Sequence, residues 1–483
     1  MTKTTVRWSL GTVFVLAVIA RVWAWRTHEA VHYDEYFQVL EPPHWRLTGA
    51  GMLTWEWTDG VRSWVLPGYH GAWMALLRAC GVEDGATIGR LLQLHWAIIN
   101  ATLVFVAYHG AASVARRLWP GPAVRLLARA GDAVASGAGD ASAEDGWAAG
   151  LLAAVVSALF PQLVLYAHHT LSENPATLCI VGALVLAARI DELAAPSRAR
   201  VRAVLSGGLF SLGVCLKVAW APLALMGPAV LVLRKRSSLL GWMILGALPP
   251  VLLFGLVDLL TWGTFLGSFV KYLIFNFVEG KAAQFGVEPW HWYAKTLHER
   301  LPFAFPLLLV PVLLGWRATW PYVVAAFGLV LQLSTQPHKE ERFVIVVWPL
   351  LLIAAAGVVG GWIARRGRRA VVAAVAGTGA LLADAGFHAA TRGVFERAWL
   401  DAQAAAARDP DAIALMMESN VENGGLLWFS GRGPMFGFDE ALLKNPMITH
   451  VAVRRASDRE QMVRDAGFVR MGEWGNVVLL KRL

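Results

Sequence analysis

The sequence predicts an all-α polytopic membrane protein of about eleven transmembrane helices, followed by a small C-terminal α/β domain. Three observations carry this expectation. Apolar residues make up 57% of the 483 and charged ones only 16%, whereas soluble domains run at about 25% charged. Apolar runs recur along the chain at close to the length of a membrane span. From residue 391 onward that pattern gives way to short strand-like and helix-like segments.

The first apolar run, Leu10 to Trp25, follows Lys3 and Arg7. No small-residue cleavage pattern comes after it, the flank being Arg26-Thr27-His28-Glu29. It therefore reads as a start anchor with a cytoplasmic N-terminus rather than a cleaved signal peptide. Arg21 is expected to snorkel to an interface. Further runs lie near 64–80, 91–111, 147–168, 176–188, 207–233, 239–260, 301–316, 320–335, 343–362 and 370–387. Several fall short of the ~20 residues that cross ~30 Å of hydrocarbon, so tilted, broken or re-entrant pieces are expected. They must be helices, because an open sheet edge in lipid leaves backbone groups unpaired. The 23 Trp against 8 Tyr suit a chain with much interfacial surface.

Charge orients the spans. A cytoplasmic N-terminus puts 26–63 outside. The basic stretches 234–236 and 365–369 read as inside, which places 261–300 and 336–342 outside, together with the tail from about 388. The basic loops 112–146 and 189–206 fall inside only if 64–111 is one span plus a re-entrant piece and 207–233 is two short spans. Both readings stay open. Residues 131–146, of Gly, Ala, Ser, Asp and Glu with one Trp, read as a flexible loop. The domain division is 1–390, a membrane module that includes the external loop 26–63, and 391–483, a small extracytoplasmic domain. In the latter, 413–418, 448–453 and 477–480 read as strands. Residues 458–466 read as a helix started by Ser457 or Asp458 and stopped at Gly467.

The net charge of +9 lies in short clusters between apolar runs, as in cytoplasmic loops, and does not indicate nucleic acid. Cys80, Cys179 and Cys215 show no CxxC spacing. His28, His70, His95 and His109 show no ligand spacing on one helix face. No disulfide framework, metal or cofactor is expected.

Three clusters carry chemistry. The first is His32-Tyr33-Asp34-Glu35-Tyr36-Phe37-Gln38 with Glu41, Glu56, Trp57 and Arg62, where carboxylates alternate with aromatic rings. Rings stack on a sugar and carboxylates hold or deprotonate its hydroxyls; external loops are also often polar and aromatic, and Glu56 with Arg62 would simply lock the loop if they pair. The second is Glu279 with Trp290, His291 and Tyr293, which an interfacial aromatic belt explains only in part. The third is His338-Lys339-Glu340-Glu341-Arg342, with charges beside the hydrocarbon boundary that need partners. A phosphate would satisfy His338, Lys339 and Arg342; a closed salt-bridge network with Glu340 and Glu341 is the competing account. All three fall on one membrane face, which suits a polyprenyl-phosphate sugar donor and a glycolipid or glycan acceptor. In such a reaction Asp34 is the base for an attacking hydroxyl and Glu35 tunes it or orients the acceptor. His32, Gln38, Glu41, Glu56, Trp57, Arg62, Glu279, Trp290, His291 and Tyr293 are the candidate sugar and acceptor contacts.

With these motifs in the same order over more than 300 residues, the chain resembles the Alg9-like mannosyltransferases, glycosyltransferase family 22 of the GT-C group. The resemblance implies a GT-C fold, a dolichyl- or polyprenyl-phosphate mannose donor, inversion to an α-mannoside and no required nucleotide sugar. It maps the catalytic acidic pair onto Asp34 and Glu35, and the donor-phosphate motif onto His338 to Arg342. Two departures stand out. Tyr33 replaces a common Pro, and His168-His169-Thr170-Leu171-Ser172-Glu173-Asn174 only loosely echoes an Arg-Thr-Phe-Ser-Asn-like stretch. The Ala- and Arg-rich composition points to a bacterial plasma membrane. The alternatives are a GT-C transferase of another sugar, or a non-catalytic transporter or flippase, for which Lys217 is the best mid-span charge and no internal repeat is visible.

Overall fold

The computed structural model describes residues 2–27, 32–119, 146–192, 195–366, 368–391, 397–418 and 425–483. The flexible loop expected over 131–146 lies outside them except for its last residue. In chain order the helices are α1 (Lys3–Thr27), α2 (Glu41–Thr48), α3 (Trp55–Thr58), α4 (Val65–Ala79), α5 (Gly85–Ala101), α6 (Leu103–Leu118), α7 (Trp147–Leu159), α8 (Pro161–Leu165), α9 (Glu173–Ala188) and α10 (Pro196–Leu216). They continue with α11 (Met226–Leu233), α12 (Leu240–Trp262), α13 (Gly267–Leu273), α14 (Trp292–Arg300), α15 (Phe305–Leu314), α16 (Trp316–Ser334), α17 (Val347–Arg366), α18 (Arg368–Thr391), α19 (Ala398–Arg408) and α20 (Asp458–Asp465).

Among the described residues, five helical stretches are long and apolar enough to cross a membrane: Thr4–Thr27, Gly85–Leu118, Pro196–Leu216, Ser237–Trp262 and Glu341–Ile363. Two bent pairs raise this to seven, and four shorter apolar helices accompany them. The difference from about eleven full spans has a local cause. The run 147–168 bends by 56° where α8 opens on Pro161, and the run 301–316 begins at a 108° bend between α14 and α15, leaving only the ten-residue α15 and the start of α16 within it. The run 207–233 is interrupted after Lys217 by a 3₁₀ segment containing Pro222. A proline inside a helix removes one backbone donor and clashes with the preceding turn.

The chain divides into two units. The first comprises Met1–Ala24, Ala97–Ala167 and Ser172–Arg392. Its centre is α17, of whose most apolar stretch 89% is buried by protein, against 33% for Pro196–Leu216 and 28% for Ser237–Trp262. Leu350 to Ala354 pack against Leu103, Ala107, Ala153, Val156 and Phe160 of α6 and α7 in one apolar core. Helices α10 and α12 cross closely. A Cβ on Gly207 would lie 1.9 Å from the Met243 carbonyl, and one on Gly246 would lie 1.9 Å from the Val204 carbonyl. Small residues allow such backbone approach where lipid supplies no hydrophobic drive. Arg21 does not snorkel. It is fully buried, its Nε donating to Asn100 Oδ1 at 2.9 Å and its guanidinium to the Ser157 and Ala158 carbonyls at 3.2 Å. Those carbonyls end α7 and lack helical partners, so the arginine closes that helix from within.

The second unit comprises Trp25–Trp96, His168–Leu171 and Gly393–Leu483. Residues 32–63 of the loop expected in the membrane module thus fall in one unit with the C-terminal segment, and they are not irregular: a π-helical turn Glu35–Leu40 runs into α2, with α3 beyond. The C-terminal part is a five-stranded sheet of β1 (Ala414–Met417), β2 (Met435–Gly437), β3 (Ile448–Arg454), β4 (Phe468–Trp474) and β5 (Val477–Arg482) in the order β2-β1-β3-β5-β4. β1 is parallel to β2 and β3, while β5 is antiparallel to β3 and β4. Alternate side chains serve opposite faces. Leu415, Met417, Ala452 and Leu479 meet Trp399 and Ala406 of α19 on one face. Met416, Val451, Val453 and Leu480 meet Val463 of α20 on the other. Ser457 caps α20, its Oγ accepting from the Glu460 amide at 3.2 Å, and Gly467 takes the left-handed φ of +89° just past the end.

Candidate functional site

In the second unit, Asp34 stands at the entry of the π-helical turn with its side chain 16% exposed. Its amide donates to His32 Nδ1 at 3.2 Å, and the His32 and Tyr33 rings lie 4.3 Å apart. The next residue points the other way. Glu35 is fully buried: His169 Nδ1 donates to Oε1, and the Thr170 amide and hydroxyl both donate to Oε2 at 3.0 Å. The His32 amide adds a donor to Oε1 at 3.2 Å. Burial pushes the Glu35 carboxyl up, but the His169 ring, its hydrogen bond, the Thr170 amide and the His168 ring outweigh burial and hold it at about 2. Adjacent positions in a helical turn face different directions, so the pair expected to act together is split into one partly exposed carboxylate beside His32 and one fully buried one.

The other residues of the first cluster divide in the same way. Glu56 and Arg62 pair, with Arg62 Nε and Nη2 at 3.0 and 2.6 Å from Glu56 Oε1, and Gln38 reaches the same oxygen at 3.4 Å. Trp57 is buried, donating from Nε1 to the Phe37 carbonyl at 2.7 Å and packing on Trp64. Glu41 is fully buried and accepts from the Leu427 amide at 2.7 Å and the Met52 amide at 3.1 Å. Burial raises its carboxyl to about 7 against the pull of these amides. Glu35, expected to act beside Asp34, and Glu41 and Trp57, expected as sugar or acceptor contacts, have their polar atoms turned onto the backbone, His169 or the Thr170 hydroxyl in this structure.

In the first unit the basic cluster is closed from within. Arg342 grips Glu340 with Nε at 2.6 Å and Nη2 at 2.9 Å, and His338 Nε2 approaches the same carboxylate at 2.9 Å. Lys339 donates to the Glu288 carbonyl at 2.8 Å and to the Gln336 carbonyl, and burial pulls its ammonium pKa down. Arg300 pairs with Glu341. The cations thus hold carboxylates and carbonyls, and no resident anion is needed to explain them. Sequence reasoning missed the next layer. Glu173, at the start of α9, takes Lys217 Nζ at 2.6 Å and lies 3.6 Å from Arg342 Nη1. Lys217 in turn sits 4.3 Å over the Phe343 ring. The signal was present in the sequence: an ionisable group within an apolar run asks for a named partner, and Glu173 opens the neighbouring run. Of the second cluster, Glu279, Trp290 and His291 are exposed, Glu279 pairing with Lys281 at 3.0 Å, while Tyr293 is fully buried.

Among the described residues, the second unit offers a partly exposed carboxylate beside a hydrogen-bonded clamp, and the first a guanidinium fork that holds a carboxylate in bidentate fashion. The sequence profile of the Alg9-like mannosyltransferase family matches residues 12–390. The GPI mannosyltransferase 3 of Drosophila melanogaster is 23% identical over 352 residues, covering 68% of this chain and 52% of that protein. A Dol-P-Man:Man(7)GlcNAc(2)-PP-Dol alpha-1,6-mannosyltransferase of Arabidopsis thaliana is 31% identical over 138 residues, 27% of this chain and 28% of that protein. The chain spans about half the length of these relatives or less. Among solved structures, ArnT from Cupriavidus metallidurans bound to undecaprenyl phosphate is similar with a TM-score of 0.58 at 12% identity, covering 100% of this chain and 99% of that one. Its apo state gives 0.52 at 12% identity, with 97% of each chain covered. At such identity the likeness establishes the fold, which is of the GT-C type seen in polytopic membrane proteins.

Proposed function

The chain belongs to the Alg9-like mannosyltransferase family, and we propose that it transfers mannose from a polyprenyl-phosphate donor to a hydroxyl of a lipid-linked or cell-envelope glycan. Asp34 carries the proposal, as a partly exposed carboxylate next to the hydrogen-bonded Glu35 clamp. The acceptor oxygen attacks C1 of the sugar as its proton passes to Asp34. The C1–O bond to phosphate breaks, the anomeric centre inverts to an α-mannoside and polyprenyl phosphate leaves. Arg342 receives the donor phosphate by exchanging one anion for another on the fork that Glu340 occupies, with Lys339 and His338 adding positive charge. Glu35 is a positioning residue. His32, Gln38, Glu56 and Arg62, with Glu279, Trp290 and His291, are the groups left to meet sugar hydroxyls and faces. We place this chemistry on the extracytoplasmic side of a plasma membrane, where a lipid-anchored donor needs no nucleotide.

The test is transfer from a panel of matched polyprenyl-phosphate sugars. Mannose should turn over, and Asp34→Asn should lower kcat by about 10²–10⁴-fold with unchanged thermal unfolding. Full activity in a folded Asp34→Asn protein removes the base assignment, and turnover of a different sugar in place of mannose removes the donor assignment.

A further inference from the structure

Helix α10 ends at Lys217, inside an apolar run, and a 3₁₀ segment follows. The break brings two side chains onto the segment that carries Arg342. The Trp220 indole donates to the Phe343 carbonyl at 2.8 Å, and the Lys217 ammonium lies 4.3 Å over the Phe343 ring. Lys217 also donates to Glu173 Oε1 at 2.6 Å, and that same oxygen stands 3.6 Å from Arg342 Nη1. Glu173 Oε2 accepts from the Ser172 hydroxyl at 3.2 Å. Lys217, Glu173 and Arg342 are 8%, 3% and 5% exposed, so three charged side chains meet out of water within the first unit.

Stability alone is a poor account of such a group, because apolar side chains of the same volume often hold a core equally well or better. What the charges supply is geometry. Arg342 turns its Nε–Nη2 edge to Glu340 and its Nη1 corner to Glu173. A phosphate that displaces Glu340 from the first edge leaves the second contact in place. The guanidinium therefore keeps one fixed carboxylate throughout the exchange. A lone carboxylate at that corner would compete for Arg342 and repel the incoming anion. The Lys217 ammonium cancels its charge, so the pair holds the arginine without consuming the positive charge the phosphate needs.

We infer that Glu173 and Lys217 are positioning residues for the donor phosphate: Glu173 steadies the Arg342 fork at its Nη1 corner, and Lys217 neutralises Glu173. The inference rests on the reading of Arg342 as the phosphate contact. The test uses the full chain in detergent and measures equilibrium binding of radiolabelled undecaprenyl phosphate, with undecaprenol as the probe that lacks a phosphate. Thermal unfolding sets the folded fraction at which variants are compared. R342Q should weaken undecaprenyl phosphate binding by about 100-fold. K217M should weaken it by about 10-fold, and undecaprenol binding should not change in either. Should K217M fail to fold because Glu173 is left without its partner, E173Q/K217M removes both charges together and keeps the volume. That double variant should fold and still bind undecaprenyl phosphate about 10-fold more weakly, since the fork has lost its charged anchor. A folded double variant that binds as tightly as the unaltered chain makes the pair a structural bridge and overturns the inference. So does an equal weakening of undecaprenol binding. Normal binding by R342Q is a separate result: it removes the phosphate assignment of Arg342, and the inference with it.

Discussion

Asp34 and Glu35 are neighbours with opposite fates. The sequence shows two carboxylates and cannot show which is turned inward, because that depends on residues 168–171, more than 130 positions away. The segment His168-His169-Thr170 was visible as a departure from the family pattern, yet its partner was not. Removing one side of so buried a pair leaves an uncompensated charge, so His169→Leu should destabilise the protein by about 3–5 kcal/mol. Thermal unfolding checks this, and a change below 1 kcal/mol would mean the clamp is not what holds the turn. Glu41 gives a pH signature of its own. Its folded carboxyl sits near 7 against an ordinary 4.5, so the native state holds the proton more tightly than the unfolded one. The stability it contributes is whole below pH 4.5 and disappears as pH climbs through 7, a swing of about 3 kcal/mol. Melting curves between pH 5 and 8 should show that decline, and Glu41→Gln should flatten it. An unchanged slope in the variant would assign the pH dependence elsewhere.

At the level of elements, periodicity was legible where neighbours did not interfere. The Ser457 cap, the helix to Asp465 and the Gly467 stop follow from local chemistry, as do the strands around 414–417, 448–454 and 477–482. β4 was missed because the apolar and polar residues of Phe468-Val-Arg-Met-Gly-Glu-Trp474 do not alternate, and along this edge strand only Phe468 is buried. The loop 32–63 was missed as structure because its helices are short and their stability comes from packing rather than propensity. The α10–α12 crossing makes a sharp prediction. Gly246→Leu would drive a side chain into the Val204 carbonyl and should cost about 1–3 kcal/mol or more, read as a lowered unfolding temperature in detergent. Gly241→Leu, at a position where a Cβ meets nothing within 4 Å, should leave that temperature unmoved. An equal loss in both would point to helix propensity rather than the crossing.

At the level of the whole molecule, the helical class was legible from composition, while the division into units was not. A hydropathy profile orders spans along a line; it does not say that residues near 25–96 belong with those after 393. The joining contacts are specific. Trp428 packs edge-on against Tyr36, with ring centroids 5.4 Å apart, and Ser430 receives the Gly85 amide at 3.1 Å. A chain cut after residue 391 should therefore lose both transfer activity and the protease resistance of residues 32–96, even though every residue given a chemical role precedes the cut. Limited proteolysis followed by mass mapping decides this, and a truncated chain that keeps both would show the C-terminal part to be dispensable.

The bond from the Leu427 amide to Glu41 joins residues 386 positions apart. At translation speeds of about 5–20 residues per second, the carboxylate waits roughly 20–80 s for its donor to emerge. Through that interval Asp34 rests on an unfinished scaffold, so a ribosome-bound nascent chain would carry the proposed base without the contacts that surround it in the folded unit. Competence would arrive abruptly, with the last strands, rather than accrue as the membrane helices insert.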